Sequence, residues 1–163
     1  MPEFYLKDIS KIRIKKEFLQ KKLNVKIEIK GNIISFEGDP IEEYEASMIF
    51  EAINFGFPVE TALILKDSEY SYREIPIKDF TRKKNLNPVR ARLIGKHGKT
   101  RETLEEIAGC KIKIKRSSVG IIGRSDEIEY AITAVTNLIK GSKQANVYSF
   151  LERINKNKNK NSR

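Results

Sequence analysis

The chain repeats itself. VKIEIKGNIISFEGDPIEEYEA, starting at Val25, lies above CKIKIKRSSVGIIGRSDEIEYA, starting at Cys110, without a gap. At a constant offset of 85, Ile27 meets Ile112, Ile29 meets Ile114, Gly38 meets Gly123, Ala46 meets Ala131 and Gly56 meets Gly141. Self-similarity over so long a stretch restricts the fold to two copies of one supersecondary unit.

The unit itself is legible. Residues 25–29 alternate, with Ile27 and Ile29 on one face, as a strand does. Gly31-Asn32 makes a turn, and 33–37 return as a second strand. Asp39-Pro40 starts a helix, since Asp caps free amides and Pro suits the first helical position. That helix is expected to run to about Phe55, burying a face of Ile41, Tyr44, Met48, Phe50 and Ile53, and to stop at Gly56. The second copy repeats the plan with strands at 110–115 and 119–122 and a helix over 126–140. A shorter helix follows each, at 59–65 and 144–153. Upstream, each copy places a strand (3–7 and 71–78) and then helix. In the first copy Ser10 is the expected cap of a helix reaching about Leu23. In the second, Asn87-Pro88 starts a helix through Ile94, and residues 100–108 form another.

The copies differ at one informative place. Ile14 pairs with Ile94 at an offset of 80, whereas Lys15 pairs with Thr100 at 85. The five residues missing from the first copy are Gly95, Lys96, His97, Gly98 and Lys99, so its two helices are expected to run on as one. Charge follows the same division. Residues 1–70 carry 10 Lys/Arg against 13 Asp/Glu, and residues 71–163 carry 22 against 9. A net +10 concentrated in the second half points to an anionic partner there.

Other classes recede. Cys110 is the single cysteine and His97 the single histidine, which excludes an intramolecular disulfide and argues against a His/Cys zinc site. No apolar run approaches the ~20 residues of a membrane span, and MPEFYLKDIS lacks the pattern of a signal peptide, so a cytoplasmic protein without membrane or cofactor is expected.

Two-glycine loops at a helix mouth suit phosphate. GKHGKT ends like a nucleoside-triphosphate loop, but that motif needs glycine where Leu93 stands and follows a strand rather than a helix. A nucleotide-dependent enzyme is therefore a minor reading, and His97 has no visible nucleophile or carboxylate partner for catalysis. A nucleic-acid backbone fits better. Gly95 and Gly98 let a sugar–phosphate approach the main chain, and the amides at the start of the next helix face outward. Lys96, His97 and Lys99 add charge, with Arg92, Thr100 and Arg101 beside them. Ile94 heads an apolar floor, which Leu93, Ile112 and Ile114 continue if they are not simply core, and Lys113, Lys115 and Arg116 line the far rim. Gly-x-x-Gly between helices, gripping about four nucleotides, is the K-homology (KH) arrangement. The blander reading is a tight helix–helix connection beside solvated lysines.

LIGKHGKTRETLEEIAGCKIKIK, VGIIGRSDEIEYAITAVTNLIKG and ANVYSFLER together resemble the archaeal ribosomal-RNA-processing proteins with two KH domains, relatives of the eukaryotic Partner of Nob One. The likeness runs from Phe4 to Arg153. It implies an α/β (α+β) chain of two tandem type I KH domains, each a three-stranded sheet covered by helices, over residues 1–69 and 70–154; the polar run NKNKNKNSR is itself expected to make a basic disordered tail at 155–163. It implies a non-catalytic role on single-stranded ribosomal RNA near the 3′ end of the small-subunit species. Implied partners are the endonuclease that trims that end and the alpha subunit of archaeal translation initiation factor two. A KH regulator of translation or messenger RNA stays open. Many archaeal relatives keep Gly-x-x-Gly in the first domain; this chain does not, so the resemblance implies RNA binding through the second.

Overall fold

A computed structural model describes residues 2–161 and divides into two compact units after Ser68. The first contains β1 (Glu3–Tyr5), α1 (Ser10–Ile14), α2 (Lys16–Leu23), β2 (Lys26–Lys30), β3 (Ile33–Glu37), α3 (Pro40–Phe55) and α4 (Val59–Ala62). The second contains β4 (Tyr70–Pro76), α5 (Asn87–Ile94), α6 (Lys99–Ala108), β5 (Lys111–Ile114), β6 (Ser118–Arg124), α7 (Ile128–Lys140) and α8 (Gln144–Asn161). Short 3-10 turns occupy Leu63–Lys66, Ile77–Phe80 and Lys96–Gly98.

The duplication extends to hydrogen-bond register. Each unit holds a three-stranded antiparallel sheet, ordered β1-β3-β2 and β4-β6-β5. Ile27 faces Phe36 and Ile112 faces Ile121; Ile29 faces Ile34 and Ile114 faces Val119. Both partners in each pair are displaced by 85. Two tertiary details shift with them. Gln20 Oε1 accepts the Ile27 amide at 2.8 Å, and Glu105 Oε2 accepts the Ile112 amide at 2.8 Å, so each edge strand is tied to the helix before it. A Cβ on Gly38 would press on Val25, and one on Gly123 on Cys110, again the same contact twice.

Apolar side chains facing the sheets make the cores. In the first unit Phe36 lies between Phe4 and Phe50, at ring separations of 6.0 and 5.2 Å. In the second, Val119, Ile121, Leu93, Leu104, Val135 and Leu138 are all but sealed from solvent.

Several boundaries depart from expectation. Helices α1 and α2 do not fuse: Lys15 (φ −100°, ψ 12°) breaks them where the second copy inserts its loop. Asp8, not Ser10, supports the start of α1, its carboxylate accepting the Ser10 amide at 3.1 Å. On α3 the buried face is Ala46, Ile49, Phe50 and Ala52, while Ile41 and Tyr44 are 74% and 66% exposed. That helix is apolar on several sides, so periodicity alone does not select its inner face. Residues 77–80 leave the strand for a 3-10 turn after Pro76. Most plainly, α8 passes Arg153 and reaches Asn161, where a disordered tail was expected from residue 155. Asn155 Nδ2 donates to the Ile107 carbonyl at 2.8 Å, and Lys158 pairs with Glu127 at 2.9 Å while lying over the Tyr130 ring. These contacts hold a polar helix that its composition alone would not. The remainder of the expected tail, residues 162–163, lies outside the described residues.

Candidate nucleic-acid interface

The site is built where α5 stops and α6 starts. Gly95 ends α5 with its amide donating to the Ala91 carbonyl at 2.8 Å. Its backbone (φ 75°, ψ 174°) occupies a region that is essentially glycine's alone. Space forbids a side chain as well: a Cβ there would stand 2.1 Å from Thr100 Oγ1 and 2.7 Å from the Thr100 nitrogen. Thr100 is correspondingly buried, and its place in the site is to brace the loop. The Gly98 amide closes the turn onto the Gly95 carbonyl at 3.2 Å. Between the glycines, His97 adopts a left-handed conformation (φ 55°, ψ 29°) that costs a non-glycine residue about 1–2 kcal/mol.

Gly98 (φ 75°, ψ 12°) then caps α6 without any side-chain acceptor. The Lys99 amide turns back onto the Lys96 carbonyl, and no side-chain cap serves the helix start, which is the positive end of its dipole. Lys96, His97 and Lys99 stand exposed around them, and none is ion-paired among the described residues. Ile94, 38% exposed, gives the apolar floor beside the loop. Leu93 and Ile112, at 1% and 5%, belong to the core instead. Across from α5 runs edge strand β5, with Lys113 half-buried and Lys115 and Arg116 exposed at its end.

Two of the expected arginines are otherwise engaged. Arg92 turns away from the loop, because it sits two residues before Ile94 and so on nearly the opposite side of α5. Its guanidinium donates to the carbonyls of Leu138 (2.9 Å) and Ser142 (2.6 Å), bracing the C-terminal end of α7. Arg101 remains beside the loop but gives Nη1 to Glu105 at 2.7 Å. A Cβ on Gly98 would lie 3.7 Å from its Nη2, so that nitrogen faces the loop. Glu105 thus holds Arg101 and the β5 edge together; its sequence signal is alignment with Gln20, an acceptor at the same place in the first unit. Sequence reading also passes over Arg90, which donates to the Arg116 carbonyl and links α5 to the β5–β6 turn. The loop joins two helices, which is not the strand–loop–helix setting of a triphosphate site.

Beside the site, Cys110 is buried, and burial pushes its thiol up to about 12, with Glu105 adding to the shift and Lys111 opposing it. It is a packed residue rather than a reactive one.

The chain is similar to known proteins. The KH domain-containing protein MJ0443 of Methanocaldococcus jannaschii is 34% identical over 85% of this chain, which spans 64% of that protein's length. A pre-rRNA-processing protein, pno1 of Emericella nidulans, is 28% identical over 82% of the chain, which spans 55% of its length. Among solved structures, the a/eIF2alpha–aDim2p–rRNA complex from Pyrococcus horikoshii OT3 superposes with a TM-score of 0.83 at 29% identity, covering 96% of this chain and 94% of the other. The profile of the second PNO1 KH domain, a eukaryotic type KH-domain (KH-domain type I), matches residues 72–156, the stretch that carries the two-glycine loop, the edge strand and α7. With more than half its length matched in this way, the chain belongs to the PNO1-type KH-domain family.

Proposed function

We propose that this chain binds single-stranded RNA through the loop 95–98 and acts in maturation of the small ribosomal subunit, near the 3′ end of its RNA, without chemistry of its own. One observation carries the reading. Cations without ion pairs among the described residues surround a glycine loop at a helix start that has no side-chain cap, in a unit whose β5 is an edge strand. That surface suits a sugar–phosphate chain. The names of the relatives support the ribosomal assignment, one being a pre-rRNA-processing protein and another being seen with rRNA and a/eIF2alpha. By the same reasoning the partners proposed are the endonuclease that trims this RNA and the alpha subunit of archaeal translation initiation factor two.

The duplicated topology supports two tandem KH domains of type I. The first, lacking the loop, serves packing, protein contact or a secondary RNA surface rather than a clamp.

Lys96→Asp with His97→Asp tests the site. Negative charge against the phosphates should lower RNA affinity by at least about 100-fold, close to 3 kcal/mol, while the unfolding midpoint stays put because both side chains are exposed. Loss of folding along with binding, or unchanged affinity, would remove the proposal. Crosslinking in cells and mapping the bound RNA separates ribosomal RNA from messenger targets.

A further inference from the structure

We infer that the RNA path does not end at the two-glycine loop but continues along α5 to a second cationic station formed by Arg82, Lys83 and Lys84 with the β5–β6 turn. The inference rests on the RNA-binding reading above and extends it.

Four observations carry it. First, the second unit has two insertions relative to the first, not one. Phe4 pairs with Ile34 as Ile75 pairs with Val119, which places Phe4 against Ile75 at an offset of 71, whereas Ile14 meets Ile94 at 80. Nine extra residues therefore lie between β4 and the end of α5, and the segment they lengthen contains Arg82-Lys83-Lys84. One insertion carries Lys96 and Lys99 just after α5, and the other lengthens the stretch that carries three cations just before it. Second, both ends of that segment are tied to the β5–β6 turn. Before it, the Ile77 amide donates to the Ser117 carbonyl at 2.9 Å; after it, Arg90 reaches the Arg116 carbonyl and Asn87. The segment that carries Arg82, Lys83 and Lys84 thus begins and ends beside the turn that carries Lys115 and Arg116.

Third, these cations are unspent. Arg82, Lys83, Lys84, Lys115 and Arg116 are exposed and lack ion pairs among the described residues. The ion pairs of β4, β6 and α7 fall elsewhere: Arg73 with Glu129, and Arg124 with Glu69 and Asp126. Fourth, the surface between the stations does not repel an anion. Residues 80–101 contain 8 Lys/Arg and no Asp or Glu. Asn87, Ala91 and Ile94, at the i, i+4, i+7 spacing of one helix face, are all exposed. Helix α5 has eight residues, so the stations are separated by about 12 Å of helix. A strand longer than the ~4 nucleotides held by the loop would reach the second station. The feature is one of electrostatic contact to the backbone, so it lengthens the footprint without reading bases.

The test measures affinity of mixed-sequence single-stranded RNA of about four and about twelve nucleotides for the full chain and two charge-matched variants. Lys83→Ala/Lys84→Ala should leave the short RNA within about twofold, weaken the long one by about tenfold or more, and flatten its log–log salt slope by about 1.4, at ~0.7 for each phosphate no longer neutralised. Lys156→Ala/Lys160→Ala, removing equal charge from α8, should change neither. Equal weakening by both variants would mean a general field effect and would overturn the track. Unchanged long-RNA binding in the first variant would also overturn it. Lys96→Asp/His97→Asp separates the two levels. If it abolishes both RNAs while Lys83→Ala/Lys84→Ala affects neither, the loop stands and the track falls; if it affects neither RNA, the underlying reading falls and the track with it.

Discussion

Gly95 and Gly98 are a pair in sequence but not in physical demand. Alanine at 98 meets only a left-handed backbone, costing about 1–2 kcal/mol, since Arg101 is the nearest neighbour at 3.7 Å. Alanine at 95 meets a region closed to side chains, about 1–3 kcal/mol, and a collision with Thr100 worth about 1–3 more. Urea unfolding should therefore rank Gly95→Ala below Gly98→Ala by at least about 1 kcal/mol, even after the stiffer unfolded chain returns some tenths to both. The motif was legible as two glycines; the reason for the first was not, because it lies in a contact with a threonine five positions on. Cys110 makes a pH prediction at the same scale. Its thiol is raised from 9.0 to about 12 in the folded chain, so the unfolded chain releases the proton first as pH climbs. Its contribution is complete below pH 9.0 and is lost between there and about 12, by up to ~1.4 kcal/mol per pH unit. The stability of Cys110→Ala, measured by denaturant across that range, should fall less steeply than that of the parent.

Between elements, Arg92 acts as a staple. Its two carbonyl bonds reach the C-terminal end of α7, where a cation is also favoured by the helix dipole. Arg92→Ala should cost about 2–4 kcal/mol, counting ~1.5–3 for each charged hydrogen bond less what water returns. RNA affinity of the folded fraction should stay within about twofold, a readout that separates a bracing role from a phosphate contact. Arg92→Lys should recover only part, since one ammonium does not serve two acceptors in a fork. The sequence places Arg92 near the loop by number alone, and only the helical turn reveals that it faces elsewhere. Helix α8 teaches the converse. Residues 154–161 read as a solvated tail because their own residues are polar, but Asn155 and Lys158 find partners on other elements. Ending the chain after Arg153 should speed amide exchange at the last turn of α6, where the Ile107 carbonyl would be left without its donor, and lower stability by about 1–2 kcal/mol. The inner face of α3 was hidden for a related reason, as exposed apolar residues such as Ile41 and Tyr44 compete in the pattern with the buried ones.

Across the whole molecule, the charge division has a measurable signature. Affinity for single-stranded RNA should fall with salt, at a log–log slope of roughly −0.7 for each phosphate neutralised. A flat response in a titration over salt would point to an uncharged partner. The architecture at this scale was the most legible part of the sequence, because one alignment carries strand order, register, edge-strand ties and the glycine contacts together. What the alignment hides is the seam at Lys15. Since α1 and α2 already terminate on either side of it, five residues added there would interrupt no helical ladder. The first unit thus already halts its helix at the point where the second carries its loop, so gaining that loop would cost it local contacts of Lys15, the Glu60 pair among them, and not a helix.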